Sequence, residues 1–218
     1  MGSGRAPGGQ DRYPGYDVLG QAPTWDRQTA GVVLRRLGPP PPTRFFTPAE
    51  EAVARPLLDR LLAQEAEPRV PVFEHVDARL AEGFTDGWHY DDMPPDGDAW
   101  RASLHGLDAD AHARHGRPFA QLGRRAQKDL LEAVRTGDRW HGLPAARVWS
   151  LWTRYAVAGF YSHPWAWNEI GFGGPAYPRG YKNLGVGGLE PWEAREAHPV
   201  DAEAWAREVE RARRDHGA

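Results

Sequence analysis

The stretch FTPAEEAVARPLLDRLL, residues 46–62, starts a helix with three separate signals. Thr47 stands at the N-cap, Pro48 at the first helical position and Glu50 three residues after the cap. This is a capping box with the proline preference of a first turn. Val53, Leu57, Leu58, Leu61 and Leu62 then recur at helical spacing, predicting a helix to about residue 65.

Outward from this helix the same period returns. Residues 72–81 (VFEHVDARLA) place Phe73, Val76 and Leu80 on one face, with His75 beside the stripe as a structural histidine. Residues 100–115 read as a helix interrupted or frayed near Gly106. Residues 118–134 form one on Phe119, Leu122, Leu130, Leu131 and Val134, ended by Gly137. Residues 144–161 are apolar around most of the circumference, as in a central helix. A charged helix over 200–214, capped by Asp201, shows only Trp205 and Val209 on its inward face. Near the N-terminus, residues 25–37 make a short helix stopped by Gly38 and a proline run, residues 39–42, which acts as a stiff spacer. No alternating strand pattern of useful length occurs. The chain is therefore expected to be mainly α: a single helical domain with long Gly-, Pro- and aromatic-rich loops and an extended N-terminal arm. The expected divisions are 1–42 for the arm, 43–193 for the helical domain and 194–218 for the charged C-terminal helix.

Composition limits the chemistry. The 218 residues include no cysteine, which excludes disulfides, thiolate nucleophiles and cysteine-held metals. A net charge of −3 without a basic run argues against nucleic acid or anionic membrane as partner. No stretch approaches the length of an apolar membrane span. The first residues carry neither an apolar export core nor paired arginines, so a cytoplasmic location is expected, and a periplasmic one only through co-export.

Motif tests mostly fail. Gly171-Phe172-Gly173-Gly174-Pro175-Ala176 satisfies a dinucleotide pattern formally. That device needs a strand before it and a helix after it, and here a helix precedes while Pro175 and Pro178 block another. No G-x-S-x-G elbow is present. The acidic residues Asp86, Asp91, Asp92, Asp96 and Asp98 lack EF-hand spacing, and His112 and His115 lack an H-E-x-x-H context. No catalytic, cofactor-binding or metal-binding residue is assigned.

What remains is FYSHPWAWNEIGFGGPAYPRGY, residues 160–181, a loop with seven aromatic rings. It can fold back over its own domain, or be buried against another protein, where Trp, Tyr and Arg dominate binding energy. It can also offer Trp165 and Trp167 as a sugar-stacking platform. A stand-alone enzyme would use His163 and Glu169 as acid and base.

This loop, with residues 44–62 and Glu190-Pro191-Trp192-Glu193, resembles the gluconate 2-dehydrogenase subunit 3 family, the small subunits of flavin-dependent sugar and polyol dehydrogenases. The resemblance runs from about Phe45 to Glu193. It implies a helical, non-catalytic accessory subunit that binds and stabilises an FAD-dependent large subunit of the glucose–methanol–choline type. No cofactor is then expected on this chain, and FAD on the partner. Many family members carry a twin-arginine signal, which this chain lacks. The residues assigned to the partner interface are Phe160, Tyr161, His163, Trp165, Trp167, Asn168, Tyr177, Arg179 and Tyr181. Asn168 and Arg179 are expected to fix loop backbone by hydrogen bonds.

Overall fold

A computed structural model describes residues 12–65, 67–88, 90–183 and 188–197, with Arg207, Arg211 and Arg214 beyond them. In order, these hold a 3-10 helix Val18–Thr24, α1 Arg27–Arg35, α2 Pro48–Leu61, α3 Val72–Ala81 and α4 Asp96–His115. A 3-10 turn Phe119–Gln121, α5 Arg124–Thr136, a two-residue hairpin pair β1 Arg139–Trp140 and β2 Leu143–Pro144, α6 Ala145–Tyr161 and α7 Pro164–Ile170 follow. The chain is mainly helical, and its main core is a bundle of α2 to α6.

The capping box forms as expected. The Thr47 backbone N–H donates to Glu50 Oε2 at 2.8 Å, and the Glu50 N–H donates to Thr47 Oγ1 at 3.3 Å. Glu50 is buried, and Arg101 from α4 approaches both its carboxylate oxygens at 3.0 and 3.1 Å. The cap thus also ties α2 to α4. Ahead of it, the buried Asp77 carboxylate of α3 accepts the successive N–H groups of Arg44, Phe45 and Phe46 at 2.7, 2.9 and 2.9 Å. Three amides converging on one anion direct Phe46 into the core, where its ring meets Phe73 and Trp100.

α6 is the central helix, as its apolar circumference implies. Val148, Leu151, Trp152, Tyr155 and Ala156 are buried, and α6 packs against α2, α3, α4 and α5. Inside this core Trp152 Nε1 donates to Ser103 Oγ at 2.9 Å, while the buried Trp100 Nε1 has no partner.

Three element readings need correction. First, α4 begins at Asp96 and runs through Gly106 without a break. Gly106 is there for close approach, because a Cβ on it would stand 2.8 Å from the His141 ring and 3.0 Å from Trp140. The hairpin rings seat on that bare backbone, and Asp110 one turn on accepts from Trp140 Nε1 at 2.7 Å. Second, residues 118–134 are not one helix. The Phe119 N–H is taken by Asp108 at 2.8 Å, the 3-10 turn ends at Leu122, and α5 starts afresh after Gly123. Third, residues 160–181 are not loop throughout, since α7 lies inside them. The expected helix over 200–214 falls outside the described residues except for Arg207, Arg211 and Arg214, each helical and exposed.

Among the described residues no helix is long and apolar enough to cross a membrane. Nor does any group of three or more His, Cys, Asp or Glu there suit a metal ion.

Asp77 and Thr47 yield a graded expectation. Thr47→Ala should lower stability by about 1 kcal/mol, as for an ordinary cap. Asp77→Ala should cost more, about 1–3 kcal/mol for the buried Phe46 N–H alone. Urea denaturation of the two variants checks the order.

Candidate functional site: an aromatic loop clasped by the N-terminal arm

Pro164 occupies the first position of α7, and His163 is its N-cap. The imidazole Nδ1 accepts the Trp165 N–H at 3.2 Å, and the ring lies near Arg36 at the end of α1. The Arg36 guanidinium donates to the Ser162 carbonyl at 2.6 Å. Arg36 of the arm therefore ties itself to the α6–α7 junction at Ser162, beside His163. His163 is buried, and this holds its pKa at about 4, with the nearby Arg36 charge acting in the same direction.

Behind α7 the arm forms a second, small core. Val18, Trp25, Val33 and Trp167 are buried together, apart from the main bundle. The Val18 N–H donates to Asn168 Oδ1 at 2.8 Å, and Asn168 Nδ2 donates to Asp17 at 3.3 Å. Two glycines make the approach possible. Gly171 (φ 66°) and Gly174 (φ 76°) lie in the left-handed region. A Cβ on them would stand 2.4 Å from the Tyr13 ring and 2.5 Å from the Trp25 ring, respectively.

Beyond α7, Arg179 organises the turn. It donates to the Gly173 carbonyl at 2.9 Å, the Pro175 carbonyl at 3.1 Å and Gln21 Oε1 of the arm at 2.9 Å. Its guanidinium lies 3.8 Å from the Trp192 ring centre. Trp192 in turn meets Tyr181 and fills the space beside Gly173. Glu190 is buried and accepts the Asn183 N–H at 2.5 Å, closing this last turn.

The nine residues assigned from the sequence thus divide. His163, Trp167 and Asn168 are buried within their own chain, and Trp167 Nε1 donates to the Tyr161 carbonyl at 2.6 Å. Phe160, Trp165 and Arg179 are half-buried, with Trp165 edge-on to His163 at 4.8 Å. Tyr161, Tyr177 and Tyr181 are exposed, Tyr177 at 67%. Ile170 and Phe172, which the sequence reading passed over, are exposed beside them. Phe172 packs edge-on to Trp167 at 5.3 Å, which links the exposed rings to the small core. The arm residues Tyr13, Val18 and Trp25 were also missed. Their sequence signal is weak: three apolar positions in a Gly- and Pro-rich segment show no period.

The geometry bears on the alternative roles. With Nδ1 engaged in the α7 cap and the ring buried, His163 holds loop structure. Trp167 offers no open face for a sugar ring. Ser162 and His163 do line a cleft of about 190 Å³ with His75, Gly159 and residues 39–41. The His75 ring packs beside Gly159, where burial lowers its pKa.

A helical bundle closed by a histidine-capped α7 and a Gly-Phe-Gly-Gly turn is the region that known families recognise. Residues 48–174 match the family described as Gluconate 2-dehydrogenase subunit 3, more than half of the chain. The chain belongs to the gluconate 2-dehydrogenase subunit 3 family. The family match begins at the first residue of α2 and ends at Gly174, so the arm and the Trp192 turn lie outside it. The family name makes the chain an accessory subunit of a multi-subunit dehydrogenase. No curated protein and no solved structure matches it.

The His163 clasp has a pH signature. The folded pKa lies below the ordinary value of about 6.5, so the unfolded chain takes up the proton first. The neutral-ring contribution is complete above about pH 6.5 and is lost progressively down to about pH 4, by at most about 3 kcal/mol. Thermal melts across this window should show His163→Asn losing less stability on acidification than the wild type.

Proposed function

We propose that this subunit binds and stabilises an FAD-dependent large subunit of the glucose–methanol–choline type, and that the exposed rings of the aromatic loop are its contact surface. The observation that carries this reading is the division of the loop by burial. Its inner residues are hydrogen-bonded and packed against the arm, while Tyr161, Phe172, Tyr177 and Tyr181 point outward from that fixed base. Rings held in place before contact lose little conformational entropy on association. Tyrosine and arginine are the residue types that concentrate binding energy at interfaces. On this reading FAD and the substrate pocket belong to the partner, and oxidation of a sugar or related alcohol takes place there.

Tyr177→Ala and Tyr161→Ala separate the roles, because both side chains are exposed and their loss leaves the small core intact. Co-expression with the flavoprotein encoded beside the chain, followed by size exclusion at flavin and protein wavelengths, measures complex yield. Each substitution should weaken the complex by about tenfold in Kd, the equivalent of about 1.4 kcal/mol, with activity per flavin unchanged. Full complex yield with lost turnover would instead place chemistry on this chain.

A further inference from the structure

The segment between α3 and α4 carries Trp88, 51% exposed, and Phe84, 64% exposed. Neither belongs to the aromatic loop, and neither is loosely held. The Asp86 carboxylate binds Arg79 of α3 and Arg154 of α6 at once. Arg79 Nε also donates to the Phe84 carbonyl at 3.1 Å. Arg154 reaches the buried Asp96 at 3.0 Å, and its guanidinium lies 5.3 Å from the Trp88 ring centre. The Tyr90 ring meets Trp88 edge-on at 5.1 Å and is itself covered by Arg147 at 3.5 Å. An exposed indole is thus held by the ion-paired Arg154 and by Tyr90. An indole left half in water adds little to the stability of the fold, so its fixation suits contact with something else.

One turn after Arg154, α6 presents Val157, and one turn further Tyr161, both exposed. Helical spacing puts 154, 157 and 161 on one face. An apolar band therefore runs from Phe84 and Trp88 along α6 to Tyr161, the first exposed ring of the aromatic loop. Several charges beside the band are paired inside the chain: Asp86 with Arg79 and Arg154, Asp92 with Arg147 at 3.8 Å, and Glu82 with Arg44 at 2.8 Å. The band fits a surface that is apolar and brings no net charge of its own.

We infer that Trp88 and Phe84 form a second anchor for the same large subunit, which lies along α6 and meets this end with an uncharged apolar face. The inference rests on the function proposed above. In the complex Trp88 is the buried anchor and Phe84 its flank, while Arg154 positions the indole.

The test is the Kd of the full-length chain for the flavoprotein encoded beside it, at low and high salt, for the wild type, Trp88→Ala, Phe84→Ala and Trp88→Phe. Trp88→Ala should raise Kd about tenfold or more, Phe84→Ala less, and Trp88→Phe should restore most of the affinity. The melting temperature of the free chain should stay unchanged and the loss should persist at high salt. If Tyr177→Ala weakens the complex while Trp88→Ala and Phe84→Ala leave it intact, the second anchor is wrong and the proposed function stands. If the wild-type chain fails to bind the flavoprotein at all, both fall. A wild-type homodimer that Trp88→Ala dissociates would assign the band to a second copy of this chain and overturn the inference.

Discussion

Asp96 opens α4 with its carboxylate in the first helical turn, where the helix dipole favours a negative charge. It is buried, and it accepts the Tyr155 hydroxyl at 2.7 Å and the Arg154 guanidinium at 3.0 Å, both from the middle of α6. Burial and this anion drive the Tyr155 pKa well above its ordinary value, so the phenol stays a donor. A buried carboxylate without these partners would be costly, so the α4–α6 register that supplies both is strongly enforced. Because Arg154 continues to Asp86, the same register also places the segment bearing Trp88. One ionic constraint in the core thereby determines what the surface presents.

At its other end α6 passes into α7, and the constraint there differs in kind. The main bundle could close without the arm, since its buried set includes no residue before Phe46. The small core could not, because three of its four buried members are arm residues and only Trp167 comes from α7. Four buried side chains give limited stabilisation, roughly 1.5–3 kcal/mol for each. Hydrogen bonds at Asn168, Arg179, Arg36 and His163 add direction to it. The arm is thus the back wall of the aromatic loop, and the residues 39–42 spacer lets that wall reach across α3 and α6 to its place.

Helices with strong local signals were legible in the sequence. The Thr47 capping box and the apolar circumference of α6 carry their own evidence within a few residues. Legibility failed where a distant partner decides the outcome. Gly106 reads locally as a helix breaker, yet it is the bare patch that seats Trp140 and His141. The α7 helix lies hidden within residues 160–181, which read as a loop, because its cap comes from an imidazole nitrogen, not from the Ser, Thr, Asp or Asn that usually marks a helix start. The covering of Gly171 and Gly174 by Tyr13 and Trp25 spans most of the chain, and no periodicity reports a contact of that separation.

Aromatic density alone could not separate rings that serve the fold from rings available to a partner. In residues 160–181 the separation follows hydrogen-bond accounting. Trp167 is buried with its indole N–H donating to the Tyr161 carbonyl at 2.6 Å. Asn168 places its amide where the Val18 N–H and Asp17 need it. Tyr177 and Tyr181 carry hydroxyls that water satisfies, so they can stand outward at little cost. Trp88 is the exception that clarifies the rule: an exposed indole held by Arg154 and Tyr90 gains order without gaining burial. Order without burial on the free chain is what contact with a second surface would complete. The same criterion finds Trp88 beside the middle of α6 and passes over the buried tryptophans.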